Sequence, residues 1–150
     1  MSVSRYSNAR FLTRVLALVA VVGCGGSDTS SPGKNSPGVL VGSYVATTFQ
    51  VTPDGQGLID VLAQGGSLTI VLGSDNSVAG TLQIPASASG GQAVTASLSG
   101  TVSVSGNTVV IQEAGDTFVR NLTWTVGTNT LSVTNQHAGI AVFTIVLTRQ

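Results

Sequence analysis

The stretch that decides the fold class is AVTASLSGTVSV, residues 93–104, because its side chains change character at every second position. The even-numbered residues are apolar or glycine, whereas the odd-numbered residues after Ala93 are all Ser or Thr. A period of two places alternate side chains on opposite faces of a β-strand, whereas an amphipathic helix repeats every three or four residues. The stretch therefore predicts a long strand with one buried and one solvated face.

The same alternation recurs through residues 39–150, about one domain's length. Turn clusters such as residues 74–77 (SDNS) and 127–129 (GTN) separate the strands, and Gly and Asn there tolerate the positive φ of tight hairpins. We expect a first strand at about 39–51, a weak one near 57–63 and seven more, each antiparallel to its sequence neighbour. The predicted fold class is all-β, an antiparallel up-and-down meander of eight or nine strands.

The two edges of such a meander expose unpaired backbone groups, and closure into a barrel removes both. The first strand opens with residues 40–44 (LVGSY), which resemble the G-x-W start of the lipocalins with Tyr44 in place of Trp. The last strand, residues 143–149, resembles the closing strand of small bacterial lipocalin-like lipoproteins. The resemblance covers most of residues 39–150 and implies a lipocalin-like (calycin) barrel, whose interior is filled or holds one small ligand. A two-sheet β-sandwich stays open as the alternative, and contact between the first and last strands would distinguish the two.

The N-terminal residues have the pattern of an export signal. Three arginines precede an apolar run, residues 15–22, which is too short to cross a bilayer as a helix. The run ends in residues 21–24 (VVGC), which resemble the lipobox of bacterial lipoproteins. The resemblance implies a diacylglycerol on the thiol of Cys24 and cleavage before it, so that residues 1–23 form a lipoprotein signal peptide.

Residues 24–38 are rich in Gly, Ser and Pro and predict a flexible linker to the domain. The formal net charge of the chain is zero, but three of its six basic residues belong to the signal, which leaves a mildly acidic mature protein. Such a protein has no basic surface for nucleic acid. Gly25 rather than Asp follows the cysteine, so we expect an exported protein anchored in the bacterial cell envelope, at the periplasmic or surface face of the outer membrane.

Groups that could carry catalysis are sparse. His137 is the only histidine, in a predicted turn, and the domain has no cysteine that could join it as a metal ligand. No G-x-S-x-G nucleophile motif occurs, and the few carboxylates have no evident acid–base partner. We therefore predict that the protein is not an enzyme and has no catalytic residues, metal or cofactor.

Arg120 shares strand parity with Phe118 and is expected to face inward, where an unpaired charge is costly. In a structural role it would stack on a core aromatic residue near a barrel end, as an arginine does in lipocalins, and pair with Asp116, Glu113 or Asp60. In a functional role it would anchor a ligand carboxylate or phosphate, which Arg binds bidentately. The structural role is favoured.

Residues 85–92 (PASASGGQ) form the longest predicted loop, for which a hairpin tip is favoured over a lid at a barrel mouth. We expect a non-catalytic module, tethered to the membrane by lipid on Cys24, whose barrel binds a small apolar molecule or lipid. The alternative is a structural or interaction domain of the envelope with a packed core and no ligand. The candidate ligand-contacting residues of the interior are Tyr44, Leu68, Ile70, Leu82, Leu98, Phe118, Arg120, Trp124 and Phe143.

Overall fold

A computed structural model describes residues 40–150, which form one antiparallel β-sheet and two short helical elements. The predicted signal peptide, Cys24 and the linker lie outside the described residues. The helical elements are α1 (Ala86–Ser89) and a 3-10 helix (Phe118–Asn121). The strands are β1 (Gly42–Pro53), β2 (Ile59–Asp60), β3 (Ser67–Leu72), β4 (Ser77–Ile84), β5 (Val94–Ser105), β6 (Thr108–Glu113), β7 (Thr123–Val126), β8 (Thr130–Ala138) and β9 (Ala141–Arg149).

The sheet closes into a barrel because the last strand pairs with the first. The strand order is β2-β1-β3-β4-β5-β6-β7-β8-β9, and β9 also pairs with β1, from Tyr44↔Arg149 to Pro53↔Ala141. Eight strands form the closed barrel, and the two-residue β2 is added beside β1. The predicted all-β, up-and-down barrel is confirmed, and the sandwich alternative is wrong, since a single sheet returns on itself.

The alternation that predicted β5 also separates its two faces in the structure. Leu98 and Val102 are buried, whereas Ser97, Ser99 and Thr101 between and beside them are exposed. Each large apolar side chain that is fully buried in this way contributes about 1.5–3 kcal/mol to folding. The fully buried interior also includes Leu68, Ile70, Leu82, Ile111, Leu122, Trp124, Leu131, Ile145 and Leu147.

Two glycines face the interior at points where neighbouring strands approach closely. A Cβ atom on Gly80 of β4 would collide with the carbonyl oxygen of Thr69 on β3. A Cβ atom on Gly100 of β5 would likewise collide with the carbonyl oxygen of Gln112 on β6. Glycine at such positions lets a strand bend and coil, which a small barrel requires to close.

The end of the barrel at which β1 begins is filled around Tyr44, and we call it the closed end. The Tyr44 hydroxyl donates a hydrogen bond to the carbonyl oxygen of Leu40 at 3.0 Å. Arg149 is the β9 partner of Tyr44, and its guanidinium donates to the carbonyl oxygen of Val41. The arginine beside the aromatic residue of the first strand, which the lipocalin resemblance implied, is therefore Arg149 and not Arg120.

Burial raises the pKa of Tyr44 above its ordinary value of 10.0, and the positive charge of Arg149 opposes this as a smaller effect. The folded state then holds the phenolic proton more tightly than the unfolded chain does, so the free energy of unfolding falls as pH rises above about 10. We expect Tyr44→Phe to lower stability by about 1 kcal/mol at neutral pH through loss of the hydrogen bond. The difference in the free energy of unfolding between the variant and wild type, measured by urea unfolding, should narrow as the pH rises above about 10. Free energies of unfolding that change with pH in the same way for the variant and for wild type would contradict this expectation.

Candidate functional site

A cavity of about 390 Å³ lies at the opposite end of the barrel, which we call the mouth. At this end β1 finishes beside the start of β9, and β4 is joined to β5. The cavity is partly open to solvent, and its lining has no charged side chain; the polar side chains in it are those of Gln56 and Ser89. Apolar lining side chains include Val51, Ile59, Ile84, Val94, Ala141 and Phe143.

Aromatic rings form one wall of the mouth cavity. The rings of Phe118 and Phe143 stack with centroids 4.2 Å apart and planes 14° apart, and both residues line the cavity. Phe49, which is fully buried on β1, lies 6.0 Å from the Phe118 ring in a tilted arrangement. This cluster ties the 3-10 helix to β1 and β9, and such ring pairs contribute about 0.5–1.5 kcal/mol beyond their buried area.

The expected inward orientation of Arg120 is wrong, because Phe118–Asn121 is a 3-10 helix and not a strand. A 3-10 helix has three residues per turn, which places Val119 in the core and leaves the Arg120 side chain 44% exposed. The guanidinium pairs with Asp116 at 2.6 Å and donates to the carbonyl oxygen of Gly115 at 3.2 Å. Asp116 is one of the three carboxylates that were expected as partners of Arg120 in its structural role.

The segment at residues 85–92 lies against the mouth cavity. It contains α1, whose Ala88 is buried and lines the cavity together with Ser89 and Gly90. Gly90 ends the helical turn at φ 74°, and the Ser89 hydroxyl donates to the carbonyl oxygen of Gln92 at 2.5 Å. The segment joins the paired strands β4 and β5, so the favoured expectation of a hairpin tip is confirmed, and residues of this tip also line the mouth cavity.

Only part of the predicted interior set belongs to the mouth cavity. Phe118 and Phe143 line it, and Arg120 lies outside on the exposed side of the 3-10 helix. The cavity residues that the sequence interpretation did not name come from strand ends and turns, such as Pro53 and Ile140. The six remaining predicted residues are buried in the filled part of the barrel and do not line the mouth cavity: Tyr44, Leu68, Ile70, Leu82, Leu98 and Trp124.

A hydrogen-bonded contact joins two turns beside the mouth. The amide of Asp54 donates to the carbonyl oxygen of Ile140 at 2.9 Å, which ties the β1–β2 turn to the β8–β9 turn. His137 lies in β8, one residue before its end, and not in a turn, and its Nε2 lies 3.1 Å from Asp54 Oδ1. Both side chains are more than half exposed, so this contact contributes little to stability. The backbone hydrogen bond holds Asp54 next to Ile140, and Ile140 and the neighbouring Pro53 both line the cavity.

Two apolar side chains that line the cavity are also exposed to solvent. Ile140 is 80% exposed and Val94 is 42% exposed. Exposed apolar groups around a concave apolar site are typical of a surface that binds an apolar molecule.

Within residues 40–150, no group of three or more His, Cys, Asp or Glu side chains is arranged as a metal site. None of the helices in that range has the length and apolar character needed to cross a bilayer. No known protein family, curated protein or solved structure matches the chain. The likeness to the lipocalins consequently depends on the short motifs in the sequence and on the barrel topology, with which it is consistent.

Proposed function

We propose that this protein is a non-catalytic binding module that takes a small apolar molecule or the chain of a lipid into the mouth cavity. The observation that carries the proposal is an uncharged, largely apolar cavity of about 390 Å³ at the mouth of a barrel that is otherwise filled. Binding sites for small molecules are concave, mostly apolar and about 300–1,000 Å³ in volume. The proposal includes no cofactor, metal or nucleic acid.

The size of the cavity limits the ligand. A heavy atom with its hydrogens takes up the ~30 Å³ that a water molecule occupies in the liquid, so the cavity holds on the order of a dozen heavy atoms. That is a single medium-length alkyl chain or a small ring system. The aromatic wall of Phe118 and Phe143 supplies a flat apolar surface for either.

We further propose that the mature protein is exported and held in the bacterial cell envelope, at the outer membrane, by lipid on Cys24. The lipobox-like residues 21–24 and the linker at residues 24–38 support this placement. A lipid-anchored module would work close to a bilayer, which is a source of apolar ligands. Two or more acyl chains are needed for firm anchoring, since one myristoyl chain binds only marginally.

We expect 1-decanol to bind the purified protein and Ala141→Phe to abolish binding. Ala141 faces the cavity, so the larger side chain would occupy ligand space. In a ¹⁵N–¹H NMR titration, decanol should shift the amides of Ser89, Gly90 and Val94 and leave those of the closed end, such as Tyr44, in place. Val142→Phe is the matched control, because Val142 is the next residue on β9 and faces away from the barrel interior.

The competing function is a structural or interaction domain without a ligand, and the filled part of the barrel favours it. Six of the predicted interior residues are already packed against protein atoms. Under that alternative, decanol would shift no mouth amide, or Ala141→Phe and Val142→Phe would bind it equally. Either result contradicts the proposed function.

A further inference from the structure

One part of the barrel wall near the mouth is not a strand. β6 ends at Glu113, which is paired with Gly100 near the middle of β5, and β7 begins only at Thr123. Residues 114–121 lie between these two strands, and we call them the wall segment. The segment includes the 3-10 helix, whose Phe118 lines the mouth cavity. Any contact that holds the wall segment in place therefore also shapes the cavity.

Backbone hydrogen bonds do little to attach the wall segment to the rest of the sheet. Among residues 40–150, the one that reaches a neighbouring strand is donated by the amide of Ala114 to the carbonyl oxygen of Ser99 at 2.9 Å, at the very start of the segment. The ion pair between Arg120 and Asp116 lies within the segment and does not reach the barrel. The position of the 3-10 helix therefore depends on side-chain contacts.

A buried carboxyl group supplies one of these contacts. Glu113 is only 7% exposed, and its Oε2 accepts a hydrogen bond from the hydroxyl of Thr117. The same hydroxyl oxygen accepts a hydrogen bond from the amide of Val119 at 3.3 Å. Thr117 and Val119 are the chain neighbours of Phe118, so the two hydrogen bonds join the end of β6 to the backbone on both sides of this ring.

The buried carboxyl group has a cost for the folded state. The second oxygen of Glu113, Oε1, is buried and has no hydrogen-bond partner among the described protein atoms. The backbone of the wall segment lies close above it, since a Cβ atom on Gly115 would stand 2.7 Å from Oε1. A buried acceptor without a partner lowers stability, and an apolar side chain of similar size would avoid the loss. Costly polar groups of this kind are expected mainly where function requires them.

We propose that Glu113 is a positioning residue of the mouth cavity, which acts through Thr117 to hold Phe118 against Phe143. The inference rests on the proposed function and adds two residues that do not touch the ligand. The stacked rings, with centroids 4.2 Å apart, then form a wall that is ordered before the ligand arrives. Without the two hydrogen bonds, part of the binding free energy would be used to order the wall segment, and affinity would fall.

The test replaces both hydrogen-bonding side chains by apolar ones of similar size, in the variant that combines Glu113→Leu with Thr117→Val. Its urea midpoint should equal or exceed that of wild type, because removal of the unpartnered acceptor offsets loss of the bond to Val119. In the NMR titration, the same variant should bind 1-decanol about tenfold more weakly than wild type. A purely structural pair would instead change the midpoint and the affinity in the same direction.

Two further variants serve as matched controls. Thr117→Ser retains the hydroxyl that links Glu113 to Val119, and Asp116→Asn removes the ion pair inside the wall segment, which does not reach the barrel. Both should bind decanol within about twofold of wild type. Nuclear Overhauser effects between the rings of Phe118 and Phe143 should persist in both controls and be lost in the double variant.

The outcomes separate this inference from the proposed function. A double variant that binds decanol as tightly as wild type would overturn the positioning role and leave the proposed function intact. A double variant that does not fold, or whose midpoint and affinity fall together, would show that Glu113 stabilises the fold and would also overturn the positioning role. Failure of the wild-type protein to bind decanol at the mouth would overturn the proposed function and this inference together.

Discussion

Gly80→Ala is expected to lower the free energy of unfolding by about 3 kcal/mol, at the upper end of what overpacking costs. The added Cβ would collide with the carbonyl oxygen of Thr69, which belongs to the backbone of a paired strand and cannot rotate aside as a side chain can. Relief would require β3 and β4 to separate at the point where the sheet curves. The loss is a large share of the roughly 5–15 kcal/mol that stabilises a typical domain.

Urea unfolding followed by the fluorescence of Trp124, the only tryptophan of the chain, measures this change. Gly57→Ala is the matched control, because a Cβ atom on Gly57 would meet nothing within 4 Å. That variant should stay within about 0.5 kcal/mol of wild type, as surface substitutions usually do. Equal stability of the two variants would show that the close approach of β3 and β4 does not govern the curvature of the barrel.

Cys24→Ser is expected to abolish lipid attachment and to leave an uncleaved precursor in the bacterial host. The lipid bond of the proposed anchor forms at the thiol of Cys24, and a serine hydroxyl is a much poorer nucleophile than a thiolate. The whole population of the protein should lose incorporation of labelled fatty acid and retain the mass of residues 1–23. Mass spectrometry and fractionation of the outer membrane measure both effects.

A second variant separates the position of the cysteine from the presence of a thiol. Cys24→Ser combined with Ser27→Cys restores a thiol three residues downstream, outside the lipobox-like residues 21–24. We expect this double variant to remain unprocessed like the single one. Normal cleavage and membrane retention of either variant would refute the proposed anchor and with it the proposed location in the envelope.

The barrel could be predicted because its strands carry local signals. The alternation in residues 93–104 predicted β5, which the structure places at Val94–Ser105, one residue later at each end. Closure followed from the general cost of two open edges and needed no knowledge of particular contacts. Only the two residues of β2 form a strand where a weak strand was expected near residues 57–63, because residues 61–65 form turns that end in a glycine.

The position of Arg120 was mispredicted because strand parity does not apply to a 3-10 helix. Thr117 caps that helix, since its side-chain oxygen accepts a hydrogen bond from the amide of Val119. A Thr directly before the change of periodicity is the local signal that a helix starts there. Gly90, with its positive φ, is the equivalent stop signal for α1, which the sequence interpretation had treated as loop.

The mouth cavity could not be predicted from the sequence because closure assembles it from distant segments. Pro53 and Ala141 are neighbours only through the pairing of β1 with β9. Ala88 lies in the one-turn helix α1 and Ile140 in a turn, and a single apolar residue in so short a segment gives no periodic pattern. The interior positions chosen from strand periodicity were therefore mainly those of the filled barrel, and only Phe118 and Phe143 belong to the cavity.

The pairing of β1 with β9 also has a consequence for how fast the domain folds. The other ladders of the sheet form hairpins or join strands close in sequence, whereas this one joins residues about a hundred positions apart, as Thr47 and Thr148 show. Contacts of such long sequence separation form slowly, because the entropy of closing the loop is lost before the contact is gained. Until β9 has been synthesised and docked, the edge of β1 remains open to other chains, so the final nine-residue strand sets the moment at which the protein becomes resistant to aggregation.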